Sequence, residues 1–404
     1  MIGAVIDKHY AELEKLYMAV HAEPELGFEV PKTAKRLADE WRAAGFEVTE
    51  KVGGHGVVGV MQNGVGKVLM VRADMDALPI LEQTEVPFAS KVVIDGVPLM
   101  HACGHDVNVT CVVGVARVMA ELKDRWKGTL VLVGQPAEEK LQGAKAMLDD
   151  GLFERFPRPD YCLAQHVDCA LESGKMKYVS GYAMANIDNL EVVIRGFGGH
   201  GASPHSTKDP IVIAAQVILA LQTIVSREVV PLEAAVVSVG SIHAGSAPNI
   251  IPDEVKMQLT VRTYKDDVRA AVKKAIERIV KGQALAAGVP VEREPIITWT
   301  KETCPATYND PVLVERVVGA IKSVIGAENV VVGSPVMGSE DFGLFGRMEP
   351  KVPIFMMGLG SVEPQKMAKG GVPGVHTPYY LPDWEATLRL GVMGMTIGAL
   401  ELLR

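Results

Sequence analysis

The residues best suited to metal chemistry lie in the segment 100–106, MHACGHD, where His101, Cys103 and His105 alternate. In an extended segment, residues at positions i and i+2 point to the same side, so a thiolate and an imidazole at this spacing can chelate one ion. The spacing does not exclude His101 as a third ligand. Taken alone, the segment is equally compatible with a buried cysteine beside two histidines that cap a helix.

Two adjacent carboxylates, Glu138 and Glu139, end the motif GQPAEE, which directly follows an apolar run. Ligands of open α/β sheets collect beyond the carboxyl ends of the strands. Neighbouring side chains diverge, so one glutamate can bind a metal while the other serves as a general base toward water. Acids at a helix start are also common as solvated residues near the positive end of the helix dipole, and the pair alone does not decide.

Two single histidines complete a possible ligand set: His166 follows the apolar run 161–164, and His376 lies in GVHTP. Each is predicted at a strand end, where a lone histidine is more often structural. Together with Cys103, His105 and Glu139 they offer sulfur, nitrogen and oxygen donors. Five ligands are too many for one tetrahedral zinc, and they suit two metals that share a bridging water.

Further polar residues could act around such a centre. Asp74 ends a predicted strand and could either orient a metal-bound imidazole or pair with Arg72. His200 lies in a glycine-rich turn, and glycine lets a backbone approach a ligand closely. His200, Asn249 and Arg262 are donors suited to an oxyanion or a carboxylate, although asparagine and glycine also simply make turns.

The elements that would position these residues form two patterns. Strands and helices alternate up to about residue 180 and again after about residue 298, which favours an α/β fold with a mostly parallel sheet flanked by helices. The intervening order of strand, helix, two strands and helix indicates a smaller inserted α+β domain. The predicted boundaries are 1–184 and 299–404 for the catalytic domain and 185–298 for the insertion. Near the candidate site we predict strands over 68–73 and 128–134 and a helix over 108–122.

Composition narrows the classes of protein. The chain has 404 residues with 41 Lys+Arg and 49 Asp+Glu, a net charge of −8, so no overall positive field favours nucleic acid. Five cysteines are a sparse and odd set, which indicates a reducing compartment and no disulfide framework. The longest apolar stretch, 211–225, is interrupted by two glutamines, so we expect no membrane span. We therefore predict a cytoplasmic protein without a signal peptide.

Eight motifs occur in order along nearly the whole chain. Taken together they resemble the family of dinuclear metal-dependent amidohydrolases that includes hippurate hydrolase, N-acyl-amino-acid amidohydrolases (aminoacylases) and auxin-conjugate hydrolases, within a wider clan that also contains dimetal carboxypeptidases. The motifs are HAEPELGFE (21–29), RADMDALP (72–79), HACGHD (101–106), GQPAEE (134–139), GGHGASPH (198–205), APNIIPD (247–253), GSEDF (338–342) and HTP (376–378).

The resemblance implies specific roles. Cys103 would bridge two metals, and the remaining ligands would be His105, Glu139, His166 and His376. Glu138 would be the general base, and Asp74 would orient a metal ligand without binding the metal itself. The inserted domain would act as a lid and mediate dimerisation, with His200 entering the active site of a partner subunit to stabilise the oxyanion. Asn249 and Arg262 would bind polar groups of the substrate.

The sequence departs from the motifs of relatives in two places. Relatives often have Gly-His after HACGHD, whereas Val107 and Asn108 follow here. Neither missing residue is a ligand in the motif, so the metal site should survive while the start of the following helix changes. Arg72 stands where more distant relatives have a ligating histidine, which agrees with the cysteine-containing branch.

The resulting prediction is a metal-dependent hydrolase that cleaves the amide bond of N-acetyl, N-benzoyl or similar N-acyl amino acids. Its cofactors would be two divalent ions, zinc by preference, with manganese, cobalt or nickel also compatible with the donors. The protein would act as a homodimer or a higher homo-oligomer. The alternatives are a dipeptidase or carboxypeptidase with the same site, or a non-catalytic metal-binding scaffold.

Overall fold

The computed structural model describes residues 1–404, and the chain divides into two compact units. The first unit consists of Met1–Ala183, Tyr308–Pro335 and Asp341–Arg404. The second unit consists of Met184–Thr307 and Val336–Glu340. Most of the second unit is therefore a single insertion into the sequence of the first.

The helices and strands are numbered in chain order. The α-helices are α1 (Ile2–His21), α2 (Pro31–Ala43), α3 (His105–Glu121), α4 (Gly143–Asp149), α5 (Leu152–Arg155), α6 (Pro210–Thr223), α7 (Asp266–Ala286), α8 (Pro311–Ile325), α9 (Pro364–Lys369) and α10 (Trp384–Leu402). The strands are β1 (Glu47–Val52), β2 (Gly56–Asn63), β3 (Val68–Asp74), β4 (Val93–Ile94), β5 (Val97–Pro98), β6 (Gly128–Gln135), β7 (Tyr161–Glu172), β8 (Met176–Tyr178), β9 (Gly181–Met184), β10 (Asn186–Arg195), β11 (Gly199–His200), β12 (Ala235–His243), β13 (Ile250–Ile251), β14 (Glu254–Thr263), β15 (Ile296–Cys304), β16 (Thr307–Asn309), β17 (Val330–Val332) and β18 (Ile354–Val362).

An eight-stranded sheet forms the centre of the first unit, in the order β1-β2-β6-β3-β7-β18-β8-β17. Its middle strands β6, β3, β7 and β18 are parallel neighbours, whereas β1 and β2 add an antiparallel edge. Every residue of β6 is buried, as expected for a central parallel strand covered on both faces. The predicted fold class, an α/β sheet that is mostly parallel and flanked by helices, is confirmed.

The first unit's core joins this sheet to helix α3. Leu69 and Val71 of β3 lie in the same apolar cluster as Leu130 and Leu132 of β6, together with the buried valines of α3. Strands β3 and β6 each end one residue later than predicted, at Asp74 and Gln135. Helix α3 begins at His105, three residues earlier than predicted, with Asp106 in its first turn.

The second unit contains a four-stranded antiparallel sheet in the order β12-β14-β10-β15. Exposed and buried residues alternate along most of β14, so one face of the sheet packs inward. Helices α6 and α7 supply that inner layer, with Val217 and Leu221 of α6 and Ile276 of α7 in one apolar cluster. The unit therefore has a core of its own.

The helical segment Pro210–Glu228 has the length and apolar composition of a membrane span. A core helix passes the same test of composition. Five of its apolar residues pack in the cluster of the second unit: Ile213, Ala214, Val217, Leu221 and Ile224.

Candidate metal centre

The five side chains predicted as metal ligands lie together in the first unit. The ligand atoms of Cys103, His105 and His166 are all within 4.8 Å of one another, and so are those of Cys103, Glu139 and His376. The Sγ atom of Cys103 belongs to both groups: it lies 3.1 Å from Nε2 of His376 and 3.5 Å from Nε2 of His166. Two neighbouring ligand groups therefore share one thiol.

The segment that carries Cys103 and His105 is not extended, as the spacing argument assumed. Cys103 lies in a turn, and His105 is the first residue of α3. Gly104 between them has a φ of +76°, and a Cβ atom there would lie 2.6 Å from a methyl group of Val167. Glycine is therefore required for the chain reversal that aims both ligands at one point.

His101 is in neither ligand group. Its side chain is buried, and neither ring nitrogen has a hydrogen-bond partner. Burial lowers the pKa of His101 to about 4, so the imidazole is neutral. The structure thus gives it no part in the ligand set, although its spacing in the sequence had left that open.

His166 lies within β7 and not at its end. The last residue pair between β3 and β7 is Arg72 with Ala164, so β7 continues past the end of its neighbour. His166 therefore reaches the carboxyl edge of β3 because β7 is the longer strand. This edge is where ligands of α/β sheets collect.

The two glutamates follow β6 through a bend at Ala137. Ala137 has a φ of +52°, an uncommon conformation for a residue with a side chain, and its N–H donates to the carbonyl of Gly27 at 2.9 Å. The HAEPELGFE motif thus contributes a backbone acceptor that holds the turn before Glu138 and Glu139.

His376 also has left-handed backbone geometry, with a φ of +63°. Such a conformation costs about 1–3 kcal/mol and persists where the surrounding structure imposes it. Here the N–H of His376 donates to the carbonyl of Ala102 at 2.8 Å, which fixes the HTP segment beside the turn of Cys103. The strain falls on a residue of the ligand set.

Backbone carbonyls set the tautomers of two ligand imidazoles. Nδ1 of His105 lies 2.7 Å from the carbonyl of Asp76, and Nδ1 of His166 lies 2.9 Å from the carbonyl of Val167. A carbonyl only accepts, so each Nδ1 carries the proton and each Nε2 keeps its lone pair. The Nε2 of His105 is buried and has no hydrogen-bond partner, as a metal-binding nitrogen would be without its ion.

The electrostatics of the group also suit cations. Burial lowers the pKa of His105 to about 4, and burial and His166 lower the pKa of His376, so both imidazoles are held in the neutral form that binds metal. Burial and the carboxylates of Glu139 and Glu138 raise the pKa of the Cys103 thiol well above its usual value. A pair of divalent ions would balance this concentration of acidic groups, so the residues fit the group that the resemblance implies.

Glu138 lies beside the ligands. Its Oε2 atom is 3.9 Å from Nε2 of His105, and its side chain is only 9% exposed. Its N–H donates to the carboxylate of Asp76 at 2.9 Å, and the N–H of Glu139 donates to the other oxygen of Asp76 at 3.3 Å. Reasoning from the sequence missed Asp76, although its place just past a strand end, two residues after Asp74, was a usable signal.

Asp74 is fully buried at the end of β3. It accepts hydrogen bonds from Arg72 at 2.6 Å and from Asn108 at 2.8 Å, and Oδ2 lies 3.8 Å from Nε2 of His105. Burial alone would raise its pKa, but His105 and Arg72 outweigh burial and lower the pKa of Asp74 to about 2. Asn108, one of the two departures from the motif, thus serves as a neutral donor to a buried carboxylate.

His200 and Asn249 are neighbours in the second unit. Strand β11 pairs with β13, and the N–H of Gly201 donates to the carbonyl of Asn249 at 2.8 Å. The N–H of Ala202 donates to Nδ1 of His200 at 3.1 Å, so the other ring nitrogen, Nε2, carries the proton in the neutral imidazole. His200 is exposed and presents that N–H as a donor.

Arg262 lies in β14 of the same unit. Its Nη1 atom donates to the carbonyl of Met337 at 2.8 Å and to Oγ of Ser339 at 3.1 Å. Both bonds use one nitrogen of the guanidinium, which leaves Nη2 and Nε available to another acceptor.

The fold and site together define a class of protein: a hydrolase with an α/β unit that gathers cysteine, histidine and glutamate ligands, and an inserted α+β unit. The profile of Peptidase family M20/M25/M40 matches residues 70–392, and the chain belongs to this family. The predicted family and the prediction of a hydrolase are confirmed.

Individual relatives are similar over nearly their whole length. Hippurate hydrolase of Campylobacter jejuni is 40% identical over 352 residues, 86% of this chain and 88% of the relative. Thermostable carboxypeptidase 2 of Saccharolobus solfataricus is 36% identical over 386 residues, 95% of this chain and 93% of the relative. The crystal structure of the Bacillus subtilis YXEP protein, a dinuclear metal-binding peptidase, superimposes with a TM-score of 0.82 at 29% identity, covering 98% of this chain and 99% of that one.

Proposed function

We propose that this protein hydrolyses the amide bond of N-acyl amino acids, with two divalent ions bound by Cys103, His105, Glu139, His166 and His376. The observation that carries the proposal is the position of the Cys103 thiol in both ligand groups. The similarity to hippurate hydrolase supports the substrate class, because hippurate is itself an N-acyl amino acid. Thiolate and imidazole donors favour zinc, and manganese, cobalt or nickel also suit the set.

The bound ions would polarise the amide carbonyl and acidify a water molecule. Glu138 then acts as the general base: it accepts the proton of the attacking water and delivers it to the nitrogen of the leaving amine. The new bond joins the water oxygen to the acyl carbon, and the carbon–nitrogen bond breaks. Asp76 holds Glu138 through its backbone N–H, and the carboxylate of Glu138 lies beside His105.

The remaining predicted residues would interact with charged groups of the site and of the substrate. Asp74, ionised between Arg72 and Asn108, would keep a negative charge beside the imidazole of His105. His200 would donate its Nε2 proton to the tetrahedral oxyanion. Asn249 and the unused nitrogens of Arg262 would bind the carboxylate of the amino-acid portion.

We infer a homodimer in which His200 serves the site of the partner subunit. Strand β12 is an edge of the four-stranded sheet, and an edge strand is open to pairing. Helix α6 exposes Ile211, Val212 and Leu219, which favours burial against a second copy. None of the five cysteines forms a disulfide, which agrees with a cytoplasmic location.

A carboxypeptidase or dipeptidase is the second candidate, and the 36% identity to thermostable carboxypeptidase 2 favours it. The test is a panel of N-acetyl, N-benzoyl and indole-acetyl amino acids against dipeptides, with the protein loaded in turn with zinc, manganese, cobalt and nickel. Higher kcat/KM on acyl amino acids supports the proposal, and higher kcat/KM on dipeptides supports the second candidate. A protein that binds two ions and cleaves neither class would be a metal-binding scaffold.

A further inference from the structure

The segment that follows β3 is an irregular excursion from the core of the first unit. At its base Leu78 and Met100 form two backbone hydrogen bonds of 3.0 Å each. Residues 79–99, which we call the excursion, have the short hairpin of β4 and β5 as their regular structure. Beyond the base, two neighbouring residues, Glu82 and Gln83, make the hydrogen bonds to other parts of the unit.

His21, the last residue of α1, joins Glu82 of the excursion to Asp106 in the first turn of α3. Its Nε2 atom lies 2.9 Å from Oε1 of Glu82, and its Nδ1 atom lies 2.7 Å from Oδ2 of Asp106. All three side chains are buried. An ionised carboxylate only accepts, so the ring donates from both nitrogens and carries a positive charge. One cation therefore connects two buried carboxylates.

The two carboxylates differ in what else fixes them. Asp106 belongs to α3, in which residues 105–116 are all buried, and its Oδ1 atom accepts the N–H of Val107 at 2.9 Å. Glu82 lies outside helix and strand, and its other hydrogen bonds are to residues of the excursion itself. Loss of His21 would therefore release the excursion and leave α3 in place.

Phe88 of the excursion packs against the same histidine. Its ring centroid lies 5.3 Å from that of His21 and 5.4 Å from that of Trp384, both in an edge-to-face arrangement. Packing alone does not keep Glu82 in place, because a buried carboxylate without its cation is strongly unfavourable. The position of the excursion thus depends on His21 through both its charge and its ring.

The excursion in turn contacts the segment that carries His376. The N–H of Gln83 donates to the carbonyl of Pro378 at 2.8 Å, and the N–H of His376 donates to the carbonyl of Ala102 at 2.8 Å. The HTP segment is therefore bonded to the excursion on one side and to the turn of Cys103 on the other. His376 has a φ of +63°, which persists where the surrounding structure imposes it.

We propose that His21 is a positioning residue that holds the excursion against α3 and thereby fixes the HTP segment beside the turn of Cys103. The inference rests on the proposed function, because it takes His376 as a metal ligand. His21 touches neither substrate nor metal in this scheme and acts through Glu82 and Gln83.

The first measurement is amide hydrogen exchange of His21→Gln, on the full chain without added metal. The two N–H groups of the amide are on one nitrogen, so they cannot reach carboxylates on opposite sides of the side chain. We expect protection over residues 79–99 and 374–380 to fall about 10- to 100-fold, the effect of losing one hydrogen bond between charged groups. Protection over α3 should remain as in the wild type.

The second measurement is a calorimetric titration of the same variant with cobalt(II). The group of Cys103, His105 and His166 does not include the HTP segment, so one ion should bind with wild-type affinity. The other ion should bind about 10- to 100-fold more weakly, as when other residues that orient metal ligands are replaced. The visible spectrum should change for that ion alone.

His9→Gln is the matched control. His9 lies in the same helix α1, and its Nε2 atom lies 2.7 Å from Oε1 of Glu121, the last residue of α3. The pair thus connects the same two helices at the end of α3 that is far from the excursion. Hydrogen exchange over 79–99 and 374–380 and the cobalt(II) titration should match the wild type.

Wild-type exchange over 374–380 in His21→Gln would overturn the proposal, and so would an equal loss of protection over α3, which would make His21 a general stabilising residue. Faster exchange over 374–380 with both cobalt(II) affinities unchanged is also contrary. If His21→Gln does not fold, Glu82→Gln takes its place, because it keeps the pair of His21 with Asp106 and weakens the bond to the excursion.

Hydrogen exchange without metal separates this proposal from the proposed function. Faster exchange over both segments and one weakened cobalt(II) site, in a protein whose wild type cleaves no acyl amino acid, would support the positioning role and reject the proposed function. A wild type that binds no cobalt(II) would reject both the metal centre and the role of His21 in fixing a ligand.

Discussion

The guanidinium of Arg72 lies 3.3 Å from the carboxylate of Asp341, although 269 positions separate the two residues. The same side chain donates to Asp74 at 2.6 Å and to Gln135 at 2.9 Å, and Gln135 donates in turn to Asp341 at 2.6 Å. The side chains of Arg72, Asp74 and Asp341 are all fully buried. Arg72 therefore links the two parts of the first unit that precede and follow the insertion.

Replacing Arg72 with methionine should lower the free energy of unfolding by about 3–5 kcal/mol, because two buried carboxylates lose their cation. Urea denaturation of the metal-loaded protein measures this. The control is Arg316→Met, since Arg316 is 40% exposed in its pair with Glu401. An exposed pair contributes about 0–1 kcal/mol, so equal losses in both variants would contradict the assigned role of Arg72.

Glu138→Gln should reduce kcat by about 10²- to 10⁴-fold, the usual contribution of a general base, while both ions stay bound. Elemental analysis and steady-state kinetics on an N-acyl amino acid provide the two measurements. Glu139→Gln is the matched variant and should lose metal as well as activity. Retention of wild-type turnover by Glu138→Gln would mean that another residue accepts the proton.

Metal binding should release a proton from Cys103. Burial and the nearby glutamates raise the pKa of this thiol, so it is protonated in the metal-free protein at neutral pH. Addition of cobalt(II) to a weakly buffered sample should acidify it and produce a sulfur-to-metal absorption band. Cys103→Ser should lack the band and release fewer protons, whereas Cys169→Ser should match the wild type. An unchanged band in Cys103→Ser would exclude the thiolate as a ligand.

The stability contribution of His21 should depend on pH. Its ring nitrogens lie 2.7 Å from Asp106 and 2.9 Å from Glu82. Burial alone would lower the pKa of His21, but the bonds to Asp106 and Glu82 outweigh it and raise the pKa to about 9. A raised folded-state pKa means that the contribution is complete below the unfolded value, about 6.5, and is lost as pH rises through about 9.

At low pH, the stability contribution of this cluster is limited by the two carboxylates that bond His21. The pKa values of Asp106 and Glu82 are lowered because hydrogen bonds to His21 outweigh burial, so their contribution is present above their usual values and lost in acid. His21→Gln should therefore reduce the free energy of unfolding most near pH 6 and much less near pH 10. Parallel urea titrations of both proteins at the two pH values test this, and a difference that is the same at both would contradict it.

The sequence predicted the ligand set because sulfur, imidazole and carboxylate groups stand out beside buried apolar strands. Every residue of β6 is buried, which explains why the continuous apolar sequence of this segment predicted a strand. Glu138 and Glu139 follow the end of that strand and therefore lie at the edge of the sheet. Local spacing failed for Cys103 and His105, whose common direction comes from the left-handed Gly104 and not from an extended chain.

The sequence could not predict the roles of other residues, because these roles depend on groups that are distant along the chain. Asp76 acts through N–H groups about 60 positions away, and His21 through carboxylates at 82 and 106. The position of His166 depends on how far β7 extends past β3, which strand pairing alone determines.

The division of the chain has an evolutionary consequence. All five proposed ligands and Glu138 belong to the first unit, whereas His200, Asn249 and Arg262 belong to the inserted one. On the proposed roles, recombination or drift within the insertion would diversify substrate recognition while the inherited metal ligands stay unchanged.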